Sequence, residues 1–143
     1  MSGISVRLPL SIDATDGPYS LHKNLKESVK QNLKMLLLTI PGERVMDPNF
    51  GVGLLKFLFE NDTQDLRSKL HERIRNQVNT YLPFLKVRET ISPTLESSGN
   101  SSARQINITI NYYIEPIAES DILNITLTDA SSEGENLTTI TSY

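Results

Sequence analysis

Three acidic residues, Glu43, Asp47 and Glu60, are the first candidates for chemistry in this 143-residue chain. A glycoside hydrolase needs two carboxyl groups across a cleft, one of them kept protonated by its surroundings. Arg44 lies next to Glu43 in the sequence and would instead favour the ionised form of a nearby carboxylate. Such a set also arises by chance in a chain with 17 acidic residues. We therefore predict that the protein is not an enzyme and has no catalytic residue.

The sequence lacks the residue patterns that usually bind metals or act as catalytic nucleophiles. The chain has no cysteine, which excludes disulfides, thiolate ligands and thiolate nucleophiles. His22 and His71 are far apart without a third ligand at metal spacing, and we predict that both are surface residues of helices. No G-x-S-x-G, HExxH or phosphate-cradling glycine loop occurs. We expect neither a metal nor a cofactor.

The charge of the chain is unevenly distributed. Residues 1–88 hold 13 basic and 9 acidic residues, and residues 89–143 hold 1 and 8, which gives formal charges of +4 and −7. Such polarity can orient a subunit against charged neighbours, although solvated helix faces and an acidic tail explain it equally well. The basic residues lack interleaved aromatic residues, so we expect no nucleic-acid partner. No apolar run is long enough to cross a bilayer, and we expect no membrane association.

Two amphipathic helices are predicted from apolar residues that recur every three or four positions. The first lies near 21–39 and ends before Pro41 and Gly42. The second lies near 63–81, with a cap among residues 61–63 and Pro83 marking its end. The apolar positions are Leu21, Leu25, Val29, Leu33, Leu36 and Leu37 in the first helix and Leu66, Leu70, Ile74 and Val78 in the second.

Strands are predicted where apolar and polar residues alternate. The clearest alternation places Ile106, Ile108, Ile110, Tyr112 and Ile114 on one face of a strand over 104–115. Weaker strands are expected near 85–93 and 122–128, and the polar segment 96–102 predicts a long hairpin tip. Residues 4–12 also alternate, but Pro9 restricts them to an edge strand or a docking arm.

These elements predict an α+β fold in which two long amphipathic helices pack on a small β-sheet with a C-terminal hairpin and an exposed edge strand. The predicted organisation is an N-terminal extended arm over 1–20, a domain over 21–128 and a flexible tail over 129–143. We assign the exposed, strand-accepting edge to the strand that contains Ile106, Ile108, Ile110, Tyr112 and Ile114.

A loop dense in glycine and proline connects the first helix to a short helical segment. Residues 36–51 read LLLTIPGERVMDPNFG, and Leu54, Leu58, Phe59 and Glu60 follow. Pro48 and Gly51 would fix a turn, Phe50 would fill a gap under the loop, and Arg44 could tie loop carbonyls or a carboxylate. The interface or structural motif predicted from this stretch comprises Gly42, Arg44, Pro48, Phe50, Gly51, Leu58, Phe59 and Pro83.

The order T-x-x-G-x-R followed by P-x-F-G resembles the signature of the baseplate wedge or sheath-initiator family of contractile phage tails. The resemblance covers roughly residues 20–128 and extends to type VI secretion baseplates. It implies a structural protein of the virion tail baseplate, assembled in the host cytoplasm in six copies. The implied partners are tail sheath subunits, baseplate wedge proteins and the tail tube, and the implied mechanism is acceptance of extended arms from the first sheath ring.

One departure from the family pattern concerns the end of the second helix. Family members commonly carry glutamate, proline and arginine there, whereas this chain has Leu82, Pro83 and Phe84. Loss of both charges implies a more apolar wedge contact. Two alternatives stay open: a lysozyme-like enzyme that degrades peptidoglycan, since some relatives are described as lysozymes, and an adaptor that binds one peptide outside any tail.

Overall fold

A computed structural model of the protein describes residues 3–12, 17–58, 60, 63–87, 94–95 and 105–128. It has the predicted α+β class, and its elements fall into two compact units, residues 1–35 and residues 36–143, which divide inside the first helix. In chain order the elements are β1 (Ser5–Val6), β2 (Leu21–His22), α1 (Leu25–Leu38), α2 (Leu54–Leu58), α3 (Gln64–Tyr81), β3 (Leu85–Val87), β4 (Thr94–Leu95), β5 (Gln105–Ile114) and β6 (Glu119–Thr128).

The first unit contains a small antiparallel ladder of β1 and β2. Ser5 lies opposite His22, and Val6 lies opposite Leu21. The prediction that His22 is a surface helix residue is therefore wrong, because His22 is a strand residue with only 8% exposure. Leu21 shares the apolar spacing of α1, but the helix begins only at Leu25, where the Asn24 side chain accepts a bond from the amide of Lys26.

One side chain of α1 fixes the N-terminal segment within this unit. Gln31 accepts a hydrogen bond from the amide of Leu8 at 2.8 Å and donates one to the carbonyl of Val6 at 2.9 Å. Gln31 also lies 2.9 Å from the His22 ring, and the other ring nitrogen lies 3.1 Å from Glu27. The alternating apolar side chains of the segment are exposed, and they are Ile4, Val6, Leu8, Leu10 and Ile12.

Helix α3 begins and ends as the sequence predicts. The Thr63 hydroxyl accepts a bond from the amide of Leu66, and the Leu82 amide closes the helix on the Val78 carbonyl, just before Pro83. Leu70, Ile74 and Val78 are buried, which confirms three positions of the predicted stripe, and the fourth, Leu66, is half-buried. None of the described helices is long and apolar enough to cross a membrane.

The sheet of the second unit is centred on β5. This strand pairs with β6 along all ten of its residues, and on its other side with β3 at Tyr112–Ile114 and with β4 at Ile106 and Asn107. The prediction that β5 is the exposed edge is therefore wrong. Alternation reveals which face of a strand is buried, but it carries no information on which strands lie beside it.

The last strand, β6, is longer than the sequence predicts and forms a hairpin with β5. A short 3-10 turn at Glu115–Ile117 and Ala118, whose φ is 53°, reverse the chain, so that β6 begins at Glu119 and not near 122. Its polar start conceals the strand in the sequence. The core face is built from directly opposed pairs such as Ile108 with Ile125 and Ile110 with Leu123.

Candidate functional site

Loop 40–51, which holds most of the predicted motif, is closed by its own hydrogen bonds. The Gly42 amide donates to the Pro48 carbonyl at 2.8 Å and closes the neck of the loop. The Glu43 amide donates to the Ile40 carbonyl at 3.0 Å, and the Glu43 carboxylate accepts from the Ile40 amide at 2.9 Å. These bonds satisfy part of the backbone of a segment that lies outside the helices and strands.

Helix α3 fixes the second half of the loop. Gln77 accepts a bond from the Gly51 amide at 2.9 Å and donates one to the Asn49 carbonyl at 3.1 Å. One turn later, the Tyr81 hydroxyl donates to the Asp47 carboxylate at 2.7 Å. The spacing of four residues places Gln77 and Tyr81 on one side of α3, so a single helix face holds the loop at two points.

An aromatic stack connects the predicted motif residues. The Arg44 guanidinium lies 4.3 Å from the centre of the Phe50 ring, and Phe50 meets Tyr81 edge to face at 4.9 Å. Both geometries are favourable. The hydrogen bond to Asp47, followed by burial and the Asp47 charge, raises the pKa of Tyr81, whereas the Arg44 charge opposes this shift.

Gly51 lies where the loop returns to the end of α1. Its φ is 110°, and a Cβ at this position would overlap the Thr39 carbonyl. Glycine is required both by the backbone angle and by the close approach. Gly42 also has a positive φ of 92°, but no atom lies within 4 Å of its Cβ position.

The tip of loop 40–51 was not singled out from the sequence. Val45 is 93% exposed and Met46 is 96% exposed, between the anchored residues Arg44 and Asp47. Two successive apolar residues inside a loop rich in glycine, proline and charge are the signal that could have identified this tip. The loop thus has an anchored base at Arg44 and Asp47 and an exposed apolar tip at Val45 and Met46.

The other predicted interface residues are dispersed. Pro83 is exposed between α3 and β3, whereas Leu82 beside it is buried in the core. Leu58 ends α2, and Phe59 lies outside the described residues. The side chains of Ile108, Ile110, Tyr112 and Ile114 are buried, so they form core and not a contact surface; Ile106 lies in the same strand, opposite Leu127.

Two of the three candidate catalytic acids are engaged in the structure of the loop, and the third lies elsewhere. Glu43 accepts from a backbone amide, and Asp47 accepts from Tyr81. Glu60 lines an open cleft beside α3 whose other residues include both Lys69 and Glu72. Among the described residues, no three His, Asp or Glu side chains cluster as a metal site would require.

The described geometry can be compared with known proteins. The sequence profile of the baseplate wedge protein gp25 family matches residues 23–116, which include loop 40–51, α3 and all of β5. This chain belongs to that family. No curated protein shows a significant match to the sequence.

Two solved structures are similar to this wedge-family chain. A component of the anti-feeding prophage (AFP) baseplate, solved by electron cryomicroscopy, shares 28% identity with a TM-score of 0.60, over 76% of this chain and 82% of the other. A chain from Geobacter sulfurreducens named as a candidate tail lysozyme shares 20% identity with a TM-score of 0.59, over 75% of this chain and 93% of the other. The second likeness concerns the fold alone.

Membership of this family assigns the chain to the baseplate of a tail structure, which is an assembly of many subunits. The loop that carries most of the motif is a brace held by α3, and among the described strands β6 is an outer strand of the sheet. The loop and the outer edge of β6 are two features of this chain that could contact other subunits.

Proposed function

We propose that this chain is a structural component that joins the baseplate wedge to the first sheath ring. It initiates sheath assembly by accepting an extended arm of a sheath subunit at the outer edge of β6. The observation that supports this role is the position of β6, which is bonded to β5 over ten residues and has no other strand beside it in the described part of the chain.

Strand addition at β6 has a simple physical basis. An outer strand offers backbone N–H and C=O groups that an incoming strand satisfies, and alternate side chains of the incoming strand meet the two faces of the sheet. On β6 one face is core, with Leu123 and Ile125 buried, and the other carries the half-exposed Ile122. The pairing would give affinity, and the side chains would give register.

The remaining parts of the chain have supporting roles in this proposal. Loop 40–51 braces the connection between α1 and α3 through Gln77 and Tyr81. Residues 4–12, whose apolar side chains are exposed, dock on a neighbouring wedge or on the tail tube. Six copies around the tail would present six β6 edges to six sheath subunits, with assembly in the host cytoplasm.

The proposal is tested by altering the β6 edge and counting baseplates that carry sheath under the electron microscope. Pro in place of Asn124 or Thr126 removes one N–H, and in a strand successive N–H groups alternate between inner and outer edges. Both N–H groups lie on the outer edge, because the Glu115 amide donates to the Phe84 carbonyl on the β3 side and N–H groups alternate along the ladder. We expect a Pro variant that keeps its far-UV circular dichroism to enter baseplates that grow no sheath.

A second variant protects the test if the Pro substitutions prevent folding. Ile122→Lys places a charge beside the outer edge, which blocks strand pairing. Thr109→Lys is the matched control, because Thr109 is exposed on central strand β5 and faces the same side of the sheet. Normal sheath growth on Ile122→Lys baseplates would contradict the proposed role.

The rival enzyme hypothesis makes a separate prediction. If the chain degraded peptidoglycan, the purified protein would clear a suspension of cell walls, and Glu43→Gln or Glu60→Gln would abolish clearing. We expect no clearing by any of the three proteins, since the Glu43 carboxylate holds the Ile40 amide.

A further inference from the structure

The tip of loop 40–51 consists of two apolar side chains that lie almost wholly in water. Val45 is 93% exposed and Met46 is 96% exposed, which makes them the most exposed large apolar residues of the described chain. They contribute little to folding, because almost none of their surface is removed from water when the chain folds. Folding of the monomer therefore does not account for their apolar character.

The tip is held rigidly although it is exposed. On one side, Arg44 lies over the Phe50 ring at 4.3 Å, and on the other, Asp47 accepts the Tyr81 hydroxyl at 2.7 Å. The bond from the Gly42 amide to the Pro48 carbonyl closes the loop below both anchors. Since these contacts order the loop before any encounter, a partner would bind it without much further loss of conformational entropy.

We propose that Val45 and Met46 form a docking tip that inserts into an apolar pocket of a different protein subunit of the baseplate wedge. The inference rests on the proposed wedge role and adds the surface by which the chain is held there. Methionine suits such a contact because its unbranched side chain adapts to irregular pockets. Glu43 and Arg44, which are both exposed, would face a polar rim.

The size of the tip argues against pairing between two copies of the chain. Two such side chains offer roughly 60–120 Å² of apolar surface each. A stable interface of two partners buries about 800 Å² on each side. The tip is too small to hold a dimer, but it has the size of an anchor within a larger interface, where a few buried residues dominate binding.

A lipid surface is a poorer fit than a protein pocket. Loops and helices that bind membranes combine apolar residues with a surplus of basic residues. Beside this tip the charges of Glu43 and Arg44 balance, and Asp47 follows it directly. A mixed polar rim is typical of contacts between proteins.

In the test, cells that produce the baseplate express a variant in place of the wild-type chain. Quantitative mass spectrometry then measures how many copies of the chain each purified baseplate contains. Val45→Asp with Met46→Asp should lower incorporation at least tenfold, whereas Val45→Ile with Met46→Leu should preserve it. Asn32→Asp with Asn79→Asp is the matched control, because both positions are exposed and the same two charges are added. All purified variants should melt within roughly 2–3 °C of wild type, because substitutions of exposed residues usually change the free energy of unfolding only slightly.

The partner is identified by photocrosslinking from a benzoylphenylalanine at position 46, which should link the chain to one other baseplate subunit. Three results would overturn the inference. The double Asp variant could be incorporated like wild type, or the crosslinks could join only copies of this chain. The wild-type protein could also bind phosphatidylglycerol vesicles that the Asp variant no longer binds. Sheath growth is scored in the same particles. If the β6 variants lose sheath while the tip variants are incorporated normally, the sheath role stands and the docking tip is wrong. If the tip variants are excluded while the β6 variants grow sheath normally, the docking tip stands and only the sheath role is wrong.

Discussion

Gly51 lies so close to the backbone of Thr39, at the end of α1, that a Cβ has no room there. Gly51→Ala should destabilise the protein by about 2 kcal/mol or more, because it adds a collision with the Thr39 carbonyl to an unfavourable positive φ. Gly42→Ala is the matched control with a positive φ but open space, and about 1 kcal/mol is expected. Urea unfolding of the three proteins measures both; equal losses would contradict the close approach.

Tyr112 makes stability depend on alkaline pH. Burial, with the charge of Asp121 and the 3.1 Å hydrogen bond to it, raises the Tyr112 pKa far above its ordinary value. The folded state therefore holds the phenol proton more tightly than the unfolded state. The resulting stability is complete below about pH 10, the ordinary tyrosine pKa, and is lost as the pH rises further.

Tyr112→Phe should remove that contribution. We expect a loss of about 1 kcal/mol at neutral pH from the hydrogen bond, together with a shallower fall in stability above about pH 10. Adding Tyr81→Phe should flatten the fall further, because the pKa of Tyr81 is also raised. Urea titrations at pH 7, 9 and 10.5 would measure the slope; an unchanged slope in Tyr112→Phe is the opposing result.

At the residue scale, the sequence identified Arg44, Phe50 and Gly51 as specified positions without revealing their contacts. Arg44 was expected near carbonyls or a carboxylate, but it stacks on Phe50, while Asp47 binds Tyr81. His22 was assigned to a helix because its neighbour Leu21 continues the apolar spacing. The bond between Asp47 and Tyr81 joins residues 34 positions apart, and local patterns carry no information on such a contact.

At the scale of elements, one α1 residue holds the N-terminal segment. Gln31→Ala removes the bonds to the Leu8 amide and the Val6 carbonyl, and it leaves one ring nitrogen of His22 without its acceptor. Amide exchange at Leu8 should accelerate at least tenfold by NMR, with a loss of about 1 kcal/mol in stability. Asn32→Ala, at the exposed neighbouring position, should change neither; equal protection in Gln31→Ala would refute this role.

The helices were predicted well because their signals are local. Thr63 and Pro83 delimit α3, and the four-residue spacing from Leu66 to Val78 gives its buried stripe. The sheet was predicted less well because its order depends on distant pairing. The β5–β6 turn uses Ala118 in a left-handed conformation, where a glycine would have indicated a reversal. The alternation in β5 carries no information on its neighbours, and among the described strands β6, not β5, lies at an edge.

At the scale of the whole molecule, the chain is a member of the baseplate wedge protein gp25 family. The domain boundaries predicted at residues 20 and 128 stay predictions, and the proposed tail over 129–143 lies outside the described residues. The sequence motif led to the family, whereas the face and edge available to partners emerged only from the folded chain.

The central claim is that the β6 edge receives a strand from a sheath subunit. The most direct measurement is an electron cryomicroscopy structure of the assembled baseplate with its first sheath ring, at a resolution that separates strands. We expect a sheath strand about 4.8 Å from β6, hydrogen-bonded along Ile122–Leu127. An assembled baseplate in which this chain is present and the outer edge of β6 faces solvent would contradict it.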